Sequence, residues 1–224
     1  IAMLCVALLL TPFVAKKKDD AVAGDAQWQK EQQQKQLEKR TAKPGDDVQL
    51  QVYNTQKKSM EKMDMEDYLV GVVAGEMPAS YEPEALKAQA VAARTYAIRK
   101  AQTQTCAGGY DVCTDYHCCQ AYVDTQQRQN NWKEDYQAKE EKIEDAVYGT
   151  AGEILTYEGE PINALFHSTS GGKTEDVQAV FGGNALPYLK SVDSKGEEDA
   201  SRFTRTVSFS KSDFVAGIKK IAGN

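Results

Sequence analysis

From Val48 to Asn54 the chain reads VQLQVYN, and Val48, Leu50 and Val52 fall on alternate positions, which predicts a half-buried strand. The period then lengthens. Asp64 stands before the apolar run MEDYLVGVVAGEM, predicting a helix capped by Asp64, carrying Asp67 at its third position and closed by Pro78. Pro83 suits the first turn of a second helix, EALKAQAVAARTYAIRKAQ, whose alanines let a neighbouring element approach closely.

Periodicity is lost through residues 106–122 (CAGGYDVCTDYHCCQAY) and returns in a polar helix expected from Trp132 to Tyr148. Short strands come next: GEILTYEG turning at Gly159 into PINALFHS, then a loop STSGGKTED, then YLKSVDS and RFTRTVSFS. SKSDFVAGIKKIAGN starts like a last capped helix. Helices first and strands later, without βαβ alternation, predict an α+β fold. Its helical N-terminal part would pack on a mixed or antiparallel β region, with a substrate cleft between them.

The N-terminal segment changes this picture. Residues 1–15, IAMLCVALLLTPFVA, are mostly apolar and run straight into KKKDD. They are shorter than the roughly 20 residues that cross a bilayer. Since the chain opens on Ile, a partial transmembrane or signal-anchor segment is expected, with a cleaved secretory signal as the other reading. Leu4 before Cys5 departs from a lipobox, and both readings export the rest of the chain. Residues 16–47 are rich in Gln, Lys and Asp and form a polar linker, so the globular domain is expected at 48–224, incomplete at its C-terminus. With 27 basic against 33 acidic residues the formal charge is -6, which offers no footprint for nucleic acid and suits a neutral or polar substrate.

Two features carry candidate chemistry. Glu76 ends the apolar run two residues before Pro78, in the last turn of the predicted helix. There the helix dipole disfavours a negative charge, and a general acid needs a carboxyl that keeps its proton; a solvated glutamate at a helix end is the plainer reading. Cys106, Cys113, His117, Cys118 and Cys119 crowd into fourteen residues, a zinc set by ligand type although not by common finger spacing. Export makes a disulfide the competing reading, and free thiols a third.

Four blocks in order, MEDYLVGVVAGEMP, EALKAQAVAARTYA, FHSTSGGKTED and LPYLKSV, resemble the stage II sporulation protein D family, which is related to the amidase-enhancer domain. The resemblance runs from Val48 to the end of the chain. It implies a lytic transglycosylase acting on peptidoglycan, with Glu76 in the E-M-P motif as the catalytic acid. One carboxyl suffices if the C6 hydroxyl of the muramoyl sugar closes onto C1 to give a 1,6-anhydro end. Glu175, Asp176 and Asp193 remain conceivable stabilisers. Under this resemblance the loop of Ser168, Thr169, Ser170, Gly171 and Gly172 is a glycan-binding loop rather than a plain hairpin turn. His167 beside Ser168 makes a poor serine-hydrolase pair, because neighbours on an extended strand face opposite ways. Tyr188, Lys190 and Arg94 are further glycan-contact candidates, each with a structural role as the alternative.

Related sequences read HCQ-x-Y where this chain has HCCQAY, so His117 and Cys118 compete as ligand; any zinc is structural and none is required for catalysis. The implied partners are glycan strands stripped of stem peptides, an amidase or endopeptidase, and membrane proteins of the engulfment machinery. The implied location is the cell membrane, with a single N-terminal anchor and the catalytic domain extracytoplasmic, between mother cell and forespore. A non-catalytic amidase activator is the alternative function.

Overall fold

A computed structural model describes residues 48–200 and 203–222; the predicted anchor and linker lie outside the described residues. The chain divides into two compact units between Leu165 and Phe166. Among the described residues no helix is long and apolar enough to cross a membrane.

In the first unit, β1 (Gln49–Asn54) pairs antiparallel with β2 (Ser59–Asp64) and parallel with the two-residue β3 (Val112–Cys113), which sits at the opposite edge. Leu50 and Val52 turn inward as the alternation requires, while Val48, outside the ladder, is exposed. The sheet passes directly into α1 (Met65–Glu76), and Asp64 caps it by accepting from the backbone of Glu66 and Asp67. Tyr68, Leu69, Val70, Val72 and Val73 are buried around the whole circumference of α1, as expected of a central helix without a solvent face.

Against α1 pack α2 (Pro83–Thr103) and α4 (Tyr136–Gly149). Ala90, Ala93 and Ala97 are fully buried along α2, giving the close approach expected of them. One helix lies before α4 that the sequence reading did not include: α3 (Thr125–Trp132) opens on a capping box of Asp124 and Gln127 and breaks at Lys133, whose φ is 51°. A short 3-10 turn, Lys133–Asp135, then leads into α4, which begins at Tyr136 rather than Trp132.

Where strands were expected after α4, little ladder forms. The hairpin of β4 (Thr156–Tyr157) and β5 (Glu160–Pro161) is two residues deep, turning through Glu158 and Gly159, both at positive φ. The second unit holds α5 (Val177–Phe181), a 3-10 turn at Glu197–Asp199, and α6 (Lys211–Ala222). Among the described residues the predicted strands YLKSVDS and RFTRTVSFS do not form, and a single bridge joins Lys173 and Asp193. Side chains have taken ladder positions: Val192 N–H donates to Thr174 Oγ1 at 2.9 Å and Ser191 Oγ to Thr174 O at 2.6 Å. The α+β class stands.

Two buried ion pairs brace the helices. Arg94 of α2 grips Glu66 of α1 with Nε and Nη2 at 2.9 and 2.6 Å, and its remaining donors reach the carbonyls of Val147 and Glu153. Arg128 of α3 grips Glu140 of α4 at 2.7 and 2.6 Å. Removing one partner leaves the other charge buried, so Arg94→Ala should cost about 3–5 kcal/mol in urea denaturation, against a fraction of that for an exposed pair.

Candidate active site

The sequence order places Glu76 at the last helical position of α1, with Met77 as C-cap and Pro78 ending the run. Its carboxyl is half-buried, and Oε1 accepts the backbone N–H of Ala121 at 2.7 Å. Among the described residues no donor meets Oε2, which leaves that oxygen for a reacting group.

The segment 119–123 holds this geometry by lying on α1. Val123 N–H donates to Gly71 O at 3.0 Å, and Arg128 Nη1 donates to Val123 O at 2.7 Å. A Cβ on Gly75 would stand 3.0 to 3.1 Å from backbone atoms of Ala121 and Tyr122, and one on Gly71 would meet the Tyr122 ring at 2.3 Å. Tyr122 also stacks on Tyr68 of α1, with centroids 5.6 Å apart. Gly71, Gly75 and Ala121 were missed from sequence. The readable signal was two glycines four apart, which share one helix face in a run with no other break.

The same segment begins at the thiol cluster. Cys106, Cys118 and Cys119 bring their sulfurs within 4.8 Å of one another, with Cys106 to Cys119 at 3.6 Å and Cys119 to Cys118 at 3.9 Å. Cys113 N–H donates to Cys119 Sγ at 3.2 Å. Tyr96 and Lys100 of α2 donate to Cys118 O, fixing the loop to that helix. His117 is not part of the cluster: its ring is exposed, 3.0 Å from Asp115 and tilted against Tyr116, so Cys118 is the sulfur brought in.

Burial is the main cause that pushes the thiols of Cys106, Cys113 and Cys119 above their ordinary range, most strongly at Cys119. A divalent cation would reverse that by stabilising the thiolates. The 3.6 and 3.9 Å spacings are close to the edge of about 3.8 Å in a tetrahedron with zinc–sulfur bonds near 2.3 Å, so Cys106, Cys118 and Cys119 fit the metal. The four cysteines are free thiols in this structure.

The glycan-loop residues separate into two kinds. Ser168, Thr169 and Gly171 are exposed. Ser170 is half-buried and bonded to Glu197, and Gly172 takes φ +90°. Lys190 is exposed and Tyr188 half-buried in a turn, not on a strand. Arg94 is 1 % exposed and gives its donors to Glu66, to Val147 O near the end of α4 and to Glu153 O beyond it, which is the structural role that stood as its alternative.

A family model described as "Stage II sporulation protein" matches residues 53–157. Stage II sporulation protein D of Bacillus subtilis (strain 168) is 41% identical over 169 residues, covering 75% of this chain and 49% of the relative. Its namesake in Bacillus amyloliquefaciens is 42% identical over the same shares. A protein named "Amidase enhancer" from Bacillus subtilis is 39% identical over 121 residues, 54% of this chain and 14% of that protein. The chain belongs to the stage II sporulation protein D family. It spans about half the length of the stage II sporulation relatives it matches.

In an ordinary helix Gly→Ala stabilises by about 1 kcal/mol. At Gly75 the approach of Ala121 and Tyr122 should reverse the sign, to a loss of about 1–3 kcal/mol, while the Ala121 amide resonance shifts. Stabilisation by Gly75→Ala would show that segment 119–123 does not lie against this face of α1.

Proposed function

We propose that the chain is a peptidoglycan lytic transglycosylase, cutting glycan strands between N-acetylmuramoyl and N-acetylglucosaminyl sugars during septal peptidoglycan degradation and forespore engulfment. The observation that carries the reading is Glu76, half-buried, with one oxygen fixed by the Ala121 N–H and the other open. Membership of a sporulation family supports the biological setting.

Glu76 gives its proton to the bridging oxygen as the bond to muramoyl C1 breaks, so the departing sugar leaves as an alcohol. The C6 hydroxyl oxygen then bonds to C1, and its proton returns to Glu76. No water enters, and no second carboxyl is needed of the kind a hydrolase uses. The exposed hydroxyls of Ser168 and Thr169 suit the hydroxyl and acetamido groups of strands freed of peptides, with Lys190 as a further contact. An amidase that strips the peptides is the natural partner, and an N-terminal membrane tether would hold the domain at the outer face. The amidase-enhancer relative favours one second reading, a non-catalytic activator of an amidase.

Zinc belongs to this proposal as support for the 106–122 segment: Cys106, Cys118 and Cys119 would hold it, with Cys113, whose backbone N–H meets Cys119 Sγ, as the further candidate thiol. A structural ion there would supply folding energy to the segment and take no part in the reaction.

The domain should release 1,6-anhydro-muramoyl products from purified peptidoglycan, read by mass spectrometry. Glu76→Gln should lower the rate by at least about 10² to 10⁴. Reducing-end sugars as the sole product would mean hydrolysis, and no product together with stimulation of an added amidase would mean the activator.

Elemental analysis should find about one zinc per chain, and chelation should lower thermal stability more than activity at moderate temperature. Without metal, the raised thiols should resist alkylation near neutral pH. Because their folded-state values lie above the unfolded ones, what the protonated thiols contribute to stability is whole below the ordinary thiol range and fades at alkaline pH. Two or more oxidised cysteines and no zinc would establish the disulfide instead.

A further inference from the structure

Ser170 was expected to face the glycan, yet its hydrogen-bonding groups are taken by the protein. Its N–H and its hydroxyl both donate to Glu197 Oε2, each at 2.5 Å, and its oxygen accepts Gly172 N–H at 3.2 Å. The other oxygen of Glu197 accepts from Ser194 Oγ at 2.6 Å. One carboxylate therefore spans two stretches of chain, the serine and glycine loop and the segment after the Lys173–Asp193 bridge, where Ser194 N–H also reaches Gly172 O at 3.0 Å. Hydrogen bonds to a carboxylate are stronger than neutral ones, and these add to the backbone bonds that join the same two stretches, Ser194 N–H to Gly172 O and Thr174 N–H to Val192 O.

We propose that Glu197 is a positioning residue of the glycan-binding loop: it holds Ser170 and Gly172 so that the exposed Ser168 and Thr169 present their hydroxyls in a fixed arrangement. The loop then divides its labour. Ser170 and Gly172 face the protein, whereas Ser168 and Thr169 face the substrate. A preorganised loop gives up less conformational freedom on binding, so loss of its brace weakens binding and leaves the chemical step at Glu76 alone. The same hydrogen bonds from Ser170 and Ser194 hold the Glu197 carboxyl below the usual carboxylate range, so it is anionic at neutral pH.

The inference rests on the reading of this loop as the glycan site, and the test separates the two. KM, kcat and Tm are measured on peptide-free glycan strands for the full chain, for Glu197→Gln, and for a Ser168→Ala, Thr169→Ala double variant. Ser194→Ala is made alone and combined with Glu197→Gln. Glu197→Gln should raise KM roughly tenfold, the scale of one or two lost charge-assisted bonds, with kcat and Tm close to wild type. Ser194→Ala should raise KM less, and should add nothing once Glu197 is changed. The double serine and threonine variant should also raise KM. An unchanged KM for that double variant sinks the glycan-loop reading and the inference with it. A raised KM there beside a wild-type KM in Glu197→Gln overturns the inference alone, as does a Glu197→Gln variant whose kcat and Tm fall while KM holds.

Discussion

The bidentate pair of Arg94 and Glu66 is the constraint on which the first unit is built. A guanidinium that is 1 % exposed cannot stay charged in an apolar core unless every donor finds an acceptor. Here the acceptors come from three directions: the Glu66 carboxylate in the first turn of α1, Val147 O near the end of α4, and Glu153 O beyond it. Satisfying one side chain on α2 thus fixes the start of α1 against the end of α4. Tyr148 at the end of α4 also donates to Asp67, one residue after Glu66. With its first turn held on two sides, α1 is a rigid rod, and its far end carries Glu76.

Placing that far end takes a different device. The last turn of α1 has neither a basic residue nor a side-chain cap, so its orientation depends on what lies alongside. Segment 119–123 does this because Gly71 and Gly75 remove the side chains that would hold it off. Arg128 secures the same segment from outside through Val123 O, and Cys119 at its head belongs to the thiol cluster. The cluster and the carboxyl of Glu76 are therefore mechanically joined through three residues of backbone, although no cysteine contacts Glu76 among the described hydrogen bonds.

How far the sequence spoke depends on the range of each interaction. Asp64 as cap, Pro83 at the helix start, Leu50 and Val52 inward and Glu76 at a helix end were legible because each depends on neighbours a few residues away. The break at Lys133 was not, since no Gly or Pro marks it and a positive φ on Lys is imposed by packing. Strands after Gly159 were overread: alternation at YLKSVDS is real, but Thr174 and Ser191 use their own hydroxyls where a ladder would need backbone. The structural role of Arg94 could not be told from a glycan contact in the sequence because its partners lie 28 and more than 50 residues away. The same distance hid Ala121, which meets Glu76 across 45 residues.

Three glutamates show how environment alone assigns their work. Glu66 is buried and wholly given to Arg94, so its charge is structural and its exchange with solvent is closed. Glu197 lies in the open second unit, and short bonds from two serines keep it ionised as a brace. Glu76 differs from both because, among the described residues, one of its oxygens is tied, and to a neutral amide rather than a cation. The role proposed for Glu76 needs a carboxyl that can give up a proton and take one back, which a neighbouring cation or a ring of donors would oppose by favouring the charged form. Of the three, Glu76 is the one whose described partner is a neutral amide alone, and the glycines of α1 are what let the segment carrying that amide lie against the helix.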